Sequence, residues 1–331
     1  MNFLKIAMIT AFGGFSATAA TADGHAQSWD MPMAYASSNY HSVVGANFAE
    51  CVTAGSDGAL EIVTHQNGSL FSGDEIKDAV QTGVAEIGER LITAHHDEHP
   101  LFGIDSIPFL VSSFDEHERL WRLAGPKVAE ALSRENLHYL YSVPWPPQGL
   151  YFRDEVHSIA DMEGLKFRPY SEATARFAEL AGMVPVEVDI NSIVEAFDEG
   201  DIDAMILSSV TGYDRALWDH LDYYYTVDAW LPRNIVFVNR DAWDRLDAST
   251  RDIVTNCGLA AKAEGLSAAK EYTQFTLAGL REGGMQVEPP GPLLTQQLLN
   301  IGAILAEEWF EEAGAEGRAI IDAYRSADQP G

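Results

Sequence analysis

The chain alternates short apolar runs with amphipathic stretches, and punctuation by Gly, Asn and Ser separates them. Residues 29–35 read as an opening strand, and Ser37-Ser38-Asn39 is a polar turn that can cap a helix over 40–53. Val43, Val44, Ala46, Phe48 and Ala49 form a broad apolar face at helical spacing. Gly55 to Gly58 ends that helix. Residues 60–63 make a second strand that runs into the turn near Gly68, Gly73-Asp74 caps a helix over 75–81, and 84–87 is a third short strand. This β-α-β-α-β order predicts a parallel sheet with helices on its faces. The pattern recurs: strand 164–168, a helix from Ser171 through Leu180, strand 184–188, a helix from Ser192 ended by Gly200, and a buried strand at 204–207. Two similar α/β lobes follow. Ligands in open α/β sheets bind beyond the carboxyl ends of the strands, which here lie near Arg90, Arg168 and Ser208. The last third is helical, over 249–280, 293–312 and 318–325, and the first of these is long enough to brace both lobes.

The first residues have a different character. Lys5, an apolar stretch over 6–15 and small residues up to Ala20-Thr21-Ala22 read as a secretory signal peptide over 1–22, cleaved before Asp23. A membrane span needs about 20 apolar residues, so the reading is export to the periplasm with no membrane insertion of the mature chain.

Composition narrows the partners. Fifty acidic against 21 basic residues give a net charge of −29, a field that repels nucleic acid and anionic membranes. An anionic ligand must then be held by local cationic groups. The two cysteines, Cys51 and Cys257, are either a long-range disulfide or two buried thiols, and no thiolate spacing implies a metal or other cofactor. His95, His96 and His99 beside Asp97 and Glu98 look metal-binding, but neighbours in sequence rarely converge on one ion, so they read as a solvated loop. Gly-x-Ser-x-Gly, phosphate-loop and His-Glu-x-x-His patterns are missing from the sequence. A non-enzymatic binding protein is therefore favoured over its rival, a secreted hydrolase.

Four segments carry a family resemblance. They are Ser72-Gly73-Asp74-Glu75-Ile76-Lys77-Asp78-Ala79-Val80-Gln81-Thr82-Gly83, Asp105-Ser106-Ile107-Pro108-Phe109-Leu110, Asp161-Met162-Glu163-Gly164-Leu165-Lys166-Phe167-Arg168 and Asn239-Arg240-Asp241-Ala242-Trp243-Asp244-Arg245-Leu246. In this order the chain resembles the solute-binding proteins of TRAP (tripartite ATP-independent periplasmic) transporters. The resemblance implies a two-lobed periplasmic binding protein fold with two crossovers and a long helix spanning both lobes. Lobe one is expected over 23–148 and about 232–270, lobe two over 149–231 and about 271–331. It also implies capture of a small organic acid by hinge closure and handover to integral-membrane TRAP permease subunits. The alternative of the same kind is a ligand-carrier read by a membrane sensor.

The resemblance puts the carboxylate on Arg168, whose planar donor fork suits a bidentate grip. Arg90 is either a second anion donor or the partner of Glu89, with both following the third strand at the cleft edge. Tyr40 is the lobe-one contact expected after the first strand. Relative to the sialic-acid-binding branch, Gln148 replaces a second arginine, and Leu207 and Ser208 replace a polar Gln-Glu-Asn run. Trp145, Tyr170, Tyr213, Trp218 and Trp230 surround the matching positions, so the expected ligand is a carboxylate with a partly apolar or aromatic body.

Overall fold

The computed structural model describes residues 27–327; the segment read as a signal peptide lies outside them. The chain opens with β1 (Gln27–Pro32), α1 (Tyr40–Gly55), β2 (Leu60–His65), α2 (Ile76–Gln81), β3 (Ile87–Leu91), α3 (Phe114–Arg134) and β4 (Leu137–Pro144). It then passes to β5 (Gln148–Phe152), β6 (Lys166–Arg168), α4 (Glu172–Leu180), β7 (Val184–Pro185), α5 (Ile193–Glu199), β8 (Ala204–Ser208), α6 (Ser209–Asp214) and β9 (Tyr223–Tyr225). It returns through β10 (Arg233–Asn239), α7 (Arg240–Arg245), α8 (Ala248–Glu282), β11 (Gln286–Glu288) and α9 (Pro292–Ala327).

Helix starts follow the polar residues that mark them in the sequence. Asn39 Oδ1 accepts from the His41 amide at 3.0 Å, and Ser171 caps α4. Gly200 ends α5 at φ 73°, a left-handed conformation that costs glycine nothing.

Each lobe is built on a mixed sheet rather than a parallel one. In lobe one β1 and β2 pair in parallel, a parallel bridge from Met33 to Glu89 joins them to β3, and β10 lies antiparallel between β3 and β4. In lobe two the order is β11-β9-β5-β8-β6-β7, parallel through β7-β6-β8 and antiparallel where β5 meets β8 and β9. The antiparallel insertions come from strands that cross between lobes in opposite directions. β4 leads into β5, and β9 returns into β10.

The two crossovers, 145–147 and 226–232, run side by side. The Trp145 amide donates to Pro232 O at 2.8 Å, and the Gln148 amide to Trp230 O at 2.9 Å. Pro146, Pro147 and Pro232 have fixed φ and no N–H, so few other backbone bonds are open to this ribbon. Side chains pin it from lobe one: Trp230 Nε1 donates to Ser106 O at 3.1 Å, and the Arg233 amide donates to Asp105 Oδ2 at 3.0 Å.

The long helix is present as α8, 35 residues and about 52 Å at 1.5 Å per residue. It packs on α1 and β4 in lobe one and on α6 and β11 in lobe two. Close approach depends on missing side chains. A Cβ at Gly265 would lie 2.5 Å from Val143 Cγ2, and one at Gly279 would lie 2.3 Å from the Tyr213 ring. Helix α9 begins on lobe two, with Leu294, Leu298 and Leu305 in its core, and ends on lobe one, where Trp309 Nε1 donates to Pro100 O at 2.9 Å. The two helices expected at 293–312 and 318–325 are both present within α9, separated by non-helical backbone at Gly314 (φ 57°, ψ −141°).

Cys51 on α1 and Cys257 on α8 form a disulfide, with Cα atoms 5.9 Å apart and a sequence separation of 206. Cross-linking so long a loop removes much unfolded-state entropy. Replacing both cysteines with serine, or reducing the bond, should lower unfolding free energy by about 3–5 kcal/mol, read as a fall in the urea midpoint.

Arg233 just past the second crossover is fully buried. Its guanidinium donates to Ser142 Oγ at 2.8 Å, pairs with Glu118 Oε1 at 3.0 Å and lies 4.0 Å over the Trp121 ring. It also donates to the buried His117 ring at 3.2 Å, which requires a neutral imidazole. Burial first, and the adjacent cation second, hold His117 well below its usual pKa. Below about pH 6.5 the unfolded chain binds a proton here that the folded chain refuses, so stability falls as pH falls. In His117→Gln this contribution vanishes. Its stability should approach or pass that of the parent by about 2 kcal/mol between pH 6.5 and 5, measured by urea unfolding at both pH values.

Candidate functional site

Between the lobes lies a cavity of about 630 Å³, within the range of small-molecule sites. The crossover ribbon forms one wall through Trp145, Gln148 and Pro232; lobe one contributes Tyr35, Asp74, Arg90 and Leu91; lobe two contributes Arg168, Tyr170, Asp189, Leu207 and Ser208. The mouth is bridged by polar contacts. Asn39 Nδ2 donates to Asp214 Oδ2 at 2.9 Å, and Asn191 Nδ2 donates to Ala34 O at 3.4 Å. Arg215 holds Asn191 through its Oδ1 at 2.6 Å. This is a closed arrangement.

Arg168 ends β6, placed by parallel pairing with β8, where it stands opposite Met205. It is only 7% exposed, its Nε donates to Val188 O at 3.0 Å, and its Nη1 is buried without a partner. Burial pulls its pKa down to about 10, while Tyr35 and Asp189 nearby favour the charged form and Arg90 opposes it. At neutral pH the guanidinium remains protonated. A buried charged donor left without a partner is costly.

Tyr170, also on the wall, has a buried hydroxyl with no partner, and burial raises its pKa well above the usual phenol value. It is therefore a neutral donor. Gln148 spends its amide on Pro146 O at 2.7 Å, so it braces the crossover as well as lining the cavity. Ser208 caps α6 by accepting from the Thr211 amide at 3.2 Å. Trp145 presents a flat apolar face and is fixed by a 2.8 Å bond from its Nε1 to Asn234 Oδ1.

The other expected contacts, apart from Arg90 on the cavity wall, sit elsewhere. Glu89 and Arg90 lie inside β3, whose five residues are all buried, and do not follow it. A strand shifted to 87–91 tolerates them because each has a distant partner: Glu89 Oε1 meets His41 Nδ1 at 3.0 Å, and Arg90 is paired with Asp74. The expected alternative of an Arg90–Glu89 pair is thus replaced by Arg90–Asp74, while Arg90 does line the cavity. Glu89 is turned away from the cavity. Tyr40 is also behind the wall, with its hydroxyl donated to Pro144 O at 2.5 Å. Tyr213 packs against Trp218 and Phe275 under α8, and Trp230 is 2% exposed in the lobe-two core.

Asp74, Asp189 and Tyr35 are cavity residues that pattern reading passed over, since short polar residues in capping turns carry no periodic signal. The histidine run scatters. His95 meets Glu98 at 2.6 Å, His96 meets Glu312 at 3.0 Å, and His99 accepts from the Leu101 amide at 3.2 Å. Among the described residues no cluster of metal-ligating side chains occurs.

A two-lobed α/β fold closed over a cavity at its crossovers defines a solute-binding protein. Residues 33–313 match the family model of bacterial extracellular solute-binding protein, family 7 (DctP). The chain belongs to this family, the solute-binding proteins of TRAP transporters. It is 45% identical to a TRAP solute-binding protein specific for pyroglutamate from an unidentified marine microbe, covering 91% of this chain and 99% of that one, with a TM-score of 0.90. It is 41% identical to DctP7 of Bordetella pertussis, an extracytoplasmic solute receptor binding pyroglutamic acid, over 91% and 100% of the two chains, with a TM-score of 0.89. A monocarboxylate 2-oxoacid-binding periplasmic protein of Nostoc is 23% identical over 89% of this chain and 82% of its own. Members of the family are extracytoplasmic transport receptors, not enzymes. Among the described residues no helix is long and apolar enough to cross a membrane.

Proposed function

We propose that this protein is exported through its first 22 residues, captures a compact monocarboxylate of the pyroglutamate kind in the periplasm, and delivers it to TRAP permease subunits. The observation that carries the reading is Arg168, a buried guanidinium with an unpartnered Nη1 on the wall of a closed cavity. The ligand carboxylate takes the donor fork of Arg168. Its ring lies against Trp145 and Leu207, and the free hydroxyl of Tyr170 donates to a ring carbonyl. Two relatives above 40% identity that bind pyroglutamate support this ligand class. A sugar acid is disfavoured, because an apolar Leu207 and a Gln148 occupied by Pro146 O leave hydroxyl groups unsatisfied, at about 1–3 kcal/mol each.

Closure is a rotation of the two sheets about the paired crossovers. It brings Tyr35 and Asp74 of lobe one over Arg168 of lobe two. The Asn39–Asp214 and Asn191–Ala34 contacts form at the end of that motion.

Thermal shift against pyroglutamate tests the proposal. Saturating ligand at one hundred times Kd should stabilise the protein by about 2.7 kcal/mol, with glucuronate giving far less. Arg168→Ala should keep the apo melting temperature nearly unchanged and lose the ligand shift. Arg168→Lys should lose it too, because an ammonium cannot present paired donors. A full ligand shift in Arg168→Ala would sink the carboxylate assignment.

A further inference from the structure

Two arginines reach the cavity, yet the structure gives them unequal freedom. Each keeps a buried nitrogen without a hydrogen-bond partner, Nη1 of Arg168 and Nε of Arg90, but only Arg90 has a counter-ion, Asp74 Oδ1 against its Nη2. That pair is built into the fold. Arg90 is held in β3, 7% exposed, between the β1 bridge and β10. Its guanidinium lies against the backbone of Gly73, where a Cβ would come within 2.8 Å of Nη1. Asp74 sits in the single 3-10 turn Gly73–Glu75 ahead of α2. Ser72 and Glu75 fix that turn by a reciprocal cap, in which the Ser72 amide and hydroxyl both donate to Glu75 Oε2, at 3.0 and 2.7 Å.

The remaining lining charges are acidic. Asp189 stands near Arg168, with its Oδ1 accepting from the Asn191 amide at 2.8 Å, and Glu172 and Glu187 occupy the exposed rim. Two cations thus face four carboxylates. After Asp74 neutralises Arg90, one guanidinium is left for one ligand carboxylate. A second carboxylate on the ligand meets the Asp74–Arg90 pair as a neutral unit, with a negative oxygen beside the donors that Arg90 has left.

We infer that Asp74 is the specificity-determining residue that restricts this site to ligands with a single carboxylate, by withdrawing Arg90 from ligand binding. This deepens the reading of Arg168 as the carboxylate grip and rests on it. The chemistry is charge counting: a dicarboxylate needs two uncompensated cations, and the Ser72–Glu75 cap holds the turn that places the Asp74 counter-charge beside the second. Replacing Asp74 by asparagine preserves the size of the side chain and its place in the turn but removes the charge that holds Arg90. The side chain of Asp74 is 82% exposed, so the substitution leaves the core untouched.

Isothermal titration of the mature protein with pyroglutamate, and separately with succinate and glutarate, tests this. The ratio of dicarboxylate to pyroglutamate affinity should rise tenfold or more in Asp74→Asn. It should return to the parental value when Arg90→Gln is added to that variant. An unchanged ratio in Asp74→Asn overturns the inference. So does a rise that persists in the double variant, because the gain then comes from removing a negative charge and not from releasing Arg90. A parent that binds succinate as tightly as pyroglutamate overturns it as well. A parent that binds none of the three acids removes the carboxylate reading of Arg168 and this inference with it, whereas the preceding outcomes leave that reading standing.

Discussion

The two crossover segments, hydrogen-bonded from Trp145 to Pro232 and from Gln148 to Trp230, are the constraint on which the other features of the molecule depend. Because strands enter and leave them in opposite directions, each lobe acquires antiparallel neighbours inside an otherwise parallel sheet. Their prolines limit where the backbone can flex, and their side chains become a wall of the cavity. The ribbon is anchored on both lobes: Ser106 O for Trp230 Nε1 and Asp105 for the Arg233 amide in lobe one, and Glu288 O for the Thr226 amide with the Trp230 ring in the core of lobe two. The ribbon is thus held by both lobes, and any swing of one lobe against the other passes through it. Helix α8 limits the swing, since it packs closely on β4 and on α6 at glycine contacts that leave no slack.

A buried arginine without a counter-ion is costly in an empty protein, and the fold tolerates Arg168 through partial compensation. One backbone carbonyl accepts from Nε, and Tyr35 and Asp189 lie close enough to favour the charge. None of these completes the guanidinium. The same economy appears at Arg90 with the opposite outcome, because Asp74 supplies a full counter-charge. Two arginines in one cavity differ in role because of what stands beside them, not because of residue type.

Much of the scaffold was legible in the sequence because its signals are local. Asn39, Ser171 and Gly200 cap helices where they were expected, and Arg168 ends the strand that the Gly-Leu-Lys-Phe-Arg segment implied. Features set by distant partners were not legible. Nothing near Glu89 and Arg90 announces that His41 and Asp74 will satisfy them, so a strand carrying two charges looked as if it should end before them. Helix α3 went unread although Leu120, Trp121, Ala124, Val128 and Leu132 form its buried face, because Gly125-Pro126 interrupts the pattern at its centre. Tyr40, Tyr213 and Trp230 were drawn to the ligand by neighbourhood alone. Each instead spends its polar group or its ring on the structure behind the cavity wall. Of the expected residues that do line the cavity, Arg168 and Ser208 end strands, Trp145 belongs to the crossover, Tyr170 follows a strand, Gln148 opens β5 and Arg90 lies within β3.

The global charge and the local site are compatible because they act over different distances. At physiological ionic strength the screening length is about 8 Å, so most of the 50 acidic residues are invisible to an anion already inside the cleft. Rim carboxylates such as Glu172 and Glu187 face solvent, where opposing charges interact weakly. Arg168 acts in a buried setting where the same charge counts for several times more. The acidic surface therefore slows the approach of an anion without much weakening its grip once the lobes close, and it penalises each further negative charge the ligand brings. One guanidinium in the cavity has a counter-ion and the other has none, so the site presents a single uncompensated cation within such a field.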